Sequence, residues 1–203
     1  MQVLVLSGST RQASLNSRLA ELVAVALPDD LVEVRHDLAR LPHFDADLEA
    51  TGFPPVVQEL RAAVKLADLL VIATPEYNGG VPGVLANAVD WLSRPHQASP
   101  MQQREVVVVS ASPSAGGGQR AAAHLRQILA NCGAQVRPDG LAVPRANDVL
   151  TGKADPQLLH QLHQLAHPTT GQQASAATLG ARPAAAGHRE QVRASRSAGL
   201  GAA

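Results

Sequence analysis

An uninterrupted apolar run, Leu69-Leu70-Val71-Ile72-Ala73, passes directly into Pro75-Glu76-Tyr77-Asn78 and then into a helical stretch that ends near Trp91. No other segment constrains the fold as tightly. A strand that is apolar at every position is covered on both faces, which calls for helices above and below a parallel sheet. The turn after it is delivered to the edge of that sheet. It is stiffened by Pro75 and Pro82, opened by Gly79, Gly80 and Gly83, and holds the only tyrosine of the chain. A loop built in this way can press backbone against a flat ligand.

The remainder of the chain repeats the unit. Val3 to Leu6 reads as a strand and ends in a polar loop, Ser7 to Asn16; Leu19, Leu22, Val23, Val25 and Ala26 then recur at helical spacing until Pro28. Leu31 to Arg35 reads as a second strand, and residues 37–52 as an irregular excursion with a helical fragment at most. Residues 55–67 place Val56, Val57, Leu60, Val64 and Ala67 on one helical face behind a proline start. Glu105 to Ser110 is the clearest buried strand. It leads through a Ser- and Gly-rich loop into a helix from Gln119 to Asn131, with Leu125, Ile128 and Leu129 inward. Residues 135–143 give a weaker fifth strand and Pro156 to His167 a last helix. Strands alternating with helices at this spacing predict an α/β fold with right-handed crossovers. Five strands point to a flavodoxin-like three-layer fold around a five-stranded parallel sheet of order 2-1-3-4-5.

Composition agrees. Hydrophobic residues make up 45% of the 203 positions but aromatics only 2%, so the core is filled by Val, Leu, Ile and Ala. The 17 basic and 17 acidic residues cancel, which implies neither a nucleic-acid nor a membrane-surface partner. Cys132 is the single cysteine, so a reducing compartment is expected. No apolar run approaches the ~20 residues that span a bilayer, and a cytoplasmic location is expected. Residues 1–167 form one domain; 168–203, rich in Ala, Gly, Ser and Arg, are expected to be a disordered tail.

In an open parallel sheet, ligands settle where the winding reverses, here between strands one and three. The two most polar loops follow those strands. The first offers Ser9, Thr10, Arg11, Ser14 and Asn16 just before a helix starts, where free N–H groups and the helix dipole favour an anion. One Arg with several neutral donors suits a phosphate monoester, and no Walker lysine motif is present. The plainer reading is that Ser14 or Asn16 caps the helix. The second, Pro75-Glu76-Tyr77-Asn78, offers hydrogen bonds and one aromatic face to the edge of a heterocycle; its plainer reading is a turn that closes a strand.

Three segments carry a family resemblance: Gly8-Ser9-Thr10-Arg11-Gln12-Ala13-Ser14-Leu15-Asn16, Pro75-Glu76-Tyr77-Asn78, and Pro82-Gly83-x-Leu85-x-Asn87-Ala88-x-Asp90-Trp91. Together they resemble the NAD(P)H-dependent FMN reductases, the flavodoxin-fold group that includes quinone, chromate and azo-dye reductases, over about residues 1–166. The resemblance implies FMN, with its phosphate at Ser9, Thr10, Arg11, Ser14 and Asn16 and its isoalloxazine edge at Pro75, Glu76, Tyr77 and Asn78. Ser112 and Gly117, in the loop after strand four, are implied to flank the flavin. NADPH or NADH is the implied co-substrate, and the electrons pass to quinones, free flavin or similar small acceptors. No side chain is required as catalytic acid or base, and no metal is implied. A homodimer or homotetramer is expected. Ala86 stands where the family often has Lys.

Rival readings are weaker. A flavodoxin-type electron carrier would dock by charge, and the small acidic excess before the tail gives little steering. A flavin-free sensor would keep the fold alone. Gly116-x-Gly118-x-x-Ala121 with Asp139 fits a dinucleotide fingerprint formally, but it follows the fourth strand at a distance. His160, His163 and His167 are expected to face water opposite Leu158, Leu162 and Leu165, not to bind metal. Cys132 reads as a structural thiol, and no nucleophile elbow surrounds Ser9 or Ser14. Trp91 fits either the margin of the core or a subunit contact.

Overall fold

The structure, a computed structural model, describes residues 1–168. The tail, apart from Pro168, lies outside them. β1 (Gln2–Ser7) pairs in parallel with β2 (Leu31–Arg35) on one side and with β3 (Leu69–Thr74) on the other. β3 pairs in turn with β4 (Glu105–Ala111), so the order 2-1-3-4 is as expected. All six residues of β3 are buried, as its unbroken apolar run requires.

The fifth strand differs from expectation. It is two short strands, β5 (Gln135–Val136) beside the start of β4 and β6 (Leu141–Val143) beside its end, both parallel. Between Val136 and Leu141 the chain has Arg137-Pro138-Asp139-Gly140, while β4 spends only Val107 and Val108. Pro138 has no N–H for the ladder. At Gly140 a Cβ would lie 2.5 Å from the carbonyl oxygen of Val108, so only glycine allows the return to the sheet.

Alternate residues of the strands serve two cores. Leu4, Leu6, Leu70, Ile72, Val106 and Val108 pack under α3 (Pro55–Leu66), α4 (Gly83–Leu92) and α5 (Gln119–Asn131). Val3, Val5, Val71, Val107 and Val109 pack under α1 (Leu15–Ala26), α6 (Ala146–Leu150) and α7 (Pro156–Ala166). Three layers result. Helix α6 was not anticipated; five residues are too few to show a helical period.

The excursion after β2 holds a 3-10 turn, Leu38–Arg40, and α2 (Ala46–Thr51). It is fastened to α4 by two side chains. Trp91 Nε1 and Asn87 Nδ2 both donate to the carbonyl of Pro42, at 2.8 and 2.9 Å, and Asn87 Oδ1 accepts from the N–H of Phe44 at 2.7 Å. Phe44 meets the indole edge-on, and Trp91 is fully buried. The indole is therefore a core residue in this chain. On α7, Leu158 and Leu162 are buried and His160, His163 and His167 exposed, with His167 Nε2 2.7 Å from Asp30. Among the described residues no cluster of His, Cys, Asp and Glu fits a metal ion, and no helix is long and apolar enough to cross a membrane.

Candidate functional site

The loops after β1, β3 and β4 leave the sheet at its carboxyl edge. The first two touch. Gly8 N–H donates to the carbonyl of Ala73 at 2.8 Å, which carries the β1–β3 ladder one residue past the strands. A Cβ on Gly8 would stand 2.9 Å from Leu85 Cδ2, 3.2 Å from Ala73 O and 3.3 Å from Pro75 Cδ. The glycine is thus the point at which the loops of β1 and β3 lie against each other.

In the first loop the serine hydroxyls look inward. Ser9 and Ser14 are buried, and Ser9 Oγ accepts from the N–H of Arg11 at 3.3 Å. Of the two capping candidates it is Ser14 that caps α1, with its Oγ accepting from Asn16 N and Ser17 N. Ser7 Oγ and Ser17 Oγ are 2.8 Å apart. The main-chain N–H groups of Thr10, Gln12, Ala13 and Leu15, by contrast, donate to no acceptor among the described residues. Thr10 and Arg11 are exposed, and Arg11 forms no ion pair among the described residues. The loop therefore presents main-chain donors, the end of a helix dipole and one open guanidinium to the same edge.

Asn16 is placed differently from its loop neighbours. It is buried, and its amide is joined to β4: Nδ2 donates to Ala111 O and Oδ1 accepts from Ala111 N, each at 2.9 Å.

The second loop is held by a tight turn. Tyr77 and Gly80 exchange main-chain hydrogen bonds of 3.2 and 2.9 Å, and Asn78 and Gly79 both have positive φ, 52° and 76°. An Asn-Gly pair is the usual occupant of such a turn. Pro75 is buried, Tyr77 is 52% exposed, and Asn78 is exposed. The N–H groups of Glu76, Asn78 and Gly79 donate to no acceptor among the described residues.

The Glu76 carboxylate turns away to the start of α5. It accepts from Arg120 Nε at 2.8 Å, Arg120 Nη2 at 2.5 Å and Arg120 N at 3.1 Å, with Ala121 N at 3.4 Å. The bond from the Arg120 guanidinium, more than the charge alone, holds the Glu76 carboxyl below the ordinary range against the opposing effect of its burial. What Glu76 leaves open to a ligand is its main chain.

In the third loop, Ser112 is half-buried and shares a 3.0 Å hydrogen bond with Ser114 Oγ. Gly117 is buried with φ 60°, and a Cβ there would meet the backbone of Ala142 to Pro144 at 3.0 to 3.2 Å. Its carbonyl accepts from Ser110 Oγ at 2.8 Å. Gly117 is accordingly packed against the β6 segment. Cys132 lies well away, at the end of α5, and burial pushes its thiol up, which fits a structural thiol.

Sequence reasoning found all three loops but not Arg120 and Ala111, the partners of Glu76 and Asn16. They stand 44 and 95 residues from those partners, and nothing local marks the pairing.

The chain matches the family of NADPH-dependent FMN reductases over residues 1–148. It is 41% identical over 130 residues to an NAD(P)H-dependent FMN reductase of Pseudomonas aeruginosa, covering 64% of this chain and 69% of that one. A quinone reductase of Escherichia coli is 39% identical over 162 residues, covering 77% and 82%. Among solved structures, FerB, a flavoenzyme NAD(P)H:(acceptor) oxidoreductase from Paracoccus denitrificans, superposes with a TM-score of 0.64 at 30% identity, covering 68% of this chain and 77% of that one.

Proposed function

The chain belongs to the NADPH-dependent FMN reductase family, and from that premise we propose that its β1 loop grips the FMN phosphate while its β3 loop lines the flavin ring. The protein is an FMN-dependent oxidoreductase with NAD(P)H as electron donor and a small molecule as acceptor. Bound there, FMN would supply the hydride-accepting and electron-donating chemistry, and the protein would bind, orient and tune it.

The residues present suit such a group. In the loop leading into α1 the N–H groups of Thr10, Gln12, Ala13 and Leu15 have no acceptor among the described residues, and Arg11 adds a positive charge, which together answer a phosphate dianion. Ser9 and Ser14 shape this ring of donors, with Ser14 fixing the helix start. Across Gly8, the N–H groups of Glu76, Asn78 and Gly79 answer the carbonyl and nitrogen edge of a heterocycle. Tyr77 supplies an exposed aromatic face beside them, and buried Pro75 shapes the loop behind it. Ser112 stands at the margin, and Gly117 contributes by letting the third loop lie close to β6. The observation that carries the reading is the contact at Gly8, where the loop after β1 lies against the loop after β3.

Quinones, free flavin and similar acceptors fit a site that needs no general acid, because solvent supplies the protons. The same reading includes a cytoplasmic protein and a homodimer or homotetramer.

The test is direct. Purified protein loaded with FMN, kept free of oxygen, is mixed with NADPH and followed in the visible flavin bands. Rapid bleaching, reversed by a quinone, is expected. Bound flavin that stays oxidised in excess NADPH and NADH would mark the protein as a carrier served by another reductase.

A further inference from the structure

We propose that Asn16 is a positioning residue that locks the first loop to the third, and so sets the spacing of the flavin-binding donors without touching the phosphate. This rests on the site assignment above. At the end of β4, Ser112 N–H donates to Val143 O, toward β6. Successive residues of a strand present their polar groups to opposite sides, so the N–H and C=O of Ala111 point toward β3.

There, β3 has ended at Thr74 and the chain turns off into the Pro75 loop, so no strand continues opposite Ala111. Ala111 is 3% exposed, and both of its peptide groups would be orphaned. The Asn16 amide fills the gap as a neighbouring strand would, with one donor and one acceptor, each at 2.9 Å. Of the four hydrogen bonds that an amide can make, two are committed here in a buried setting. One side chain thereby ties the first turn of α1, which follows the Arg11 loop, to the residue before Ser112.

Asn16→Asp tests this because it is isosteric. As a carboxylate the new group still accepts from Ala111 N but opposes Ala111 O; once protonated it can donate again, as the amide did. Three results are expected. Riboflavin affinity should fall on the order of tenfold, and FMN affinity by at least that factor because the new charge also opposes the phosphate. The ratio of variant to wild-type riboflavin affinity should recover as pH falls through the titration of the introduced carboxyl. In the flavin-free protein, hydrogen exchange at the Ala111 amide should quicken at neutral pH.

A loss of FMN affinity alone, with riboflavin affinity and Ala111 exchange at wild-type values, would make Asn16 a phosphate ligand and overturn the proposal. Unchanged affinity for both flavins would overturn it as well. If the Asp variant does not fold, Asn16→Ser gives the same comparison of the two flavins. Arg11→Ala is the control on the site itself: equal losses for FMN and riboflavin there would refute the phosphate assignment, while Ala111 exchange still reports on Asn16.

Discussion

The loops after β1 and β3 meet at one glycine but keep their shapes by different means. The first is folded by its side chains: Ser9 and Ser14 turn inward to hold N–H groups, and Asn16 reaches across to β4. The second is folded by its main chain, through the Tyr77–Gly80 exchange across Asn78 and Gly79, with one carboxylate anchoring it to α5. In both, the polar side chains that draw attention in the sequence are largely used within the protein. The groups left for a ligand are main-chain N–H groups and the exposed side chains of Thr10, Arg11, Tyr77 and Asn78. A site of this kind reads shape and charge more than side-chain identity.

The largest effect should come where the two loops touch. Gly8→Val places carbon against Leu85, Ala73 and Pro75 and should cost about 2 to 3 kcal/mol of stability, read by denaturant unfolding, with flavin lost from both loops at once. A fully stable variant that binds FMN normally would mean that the loops do not need this contact.

Arg11→Ala addresses the first loop alone. It should weaken FMN by roughly 1.5 to 3 kcal/mol, ten- to a hundredfold, and leave riboflavin nearly unchanged in a fluorescence-quenching titration. Gly79→Ala addresses the second. A Cβ at Gly79 has room, with Arg120 3.7 Å away, so its φ of 76° is the only penalty, about 1 to 2 kcal/mol. FMN and riboflavin should weaken together, by several-fold.

Glu76→Gln should have the smallest effect, below about 1 kcal/mol, because Arg120 is largely exposed. Its sign with pH is fixed. The folded-state pKa of Glu76 is lowered, so its contribution is complete above the unfolded pKa and is lost as pH falls through the folded one. The stability gap between wild type and variant, measured by thermal unfolding, should close on acidification. A gap that widens would contradict the Arg120 assignment.

The layers and the sheet order up to β4 were legible in the sequence because their signals are local. A run such as Val106 to Val109 is buried on both faces, and Leu19, Leu22 and Val23 repeat at the helical period. The loop after β1 was legible as a loop for the same reason. The interrupted fifth strand was harder, since Pro138 and Gly140 mark a break but do not say that the chain returns to the sheet. What Asn16 and Glu76 do was not legible. Both residues resemble ligands in sequence, and only the fold brings Ala111 and Arg120 to them. Trp91 illustrates the same limit: its period left it between the core margin and a subunit contact, and the carbonyl of Pro42 that fixes it in the core lies on another segment.

The most direct test of the shared site compares amide chemical shifts of the flavin-free protein on addition of FMN and of riboflavin. The N–H signals of Thr10, Gln12, Ala13 and Leu15 should move strongly with FMN and little with riboflavin, while those of Glu76, Asn78 and Gly79 should move with both. Equal responses of the first group to the two flavins, or none from the second, would contradict the division of the site into a phosphate loop and a ring loop.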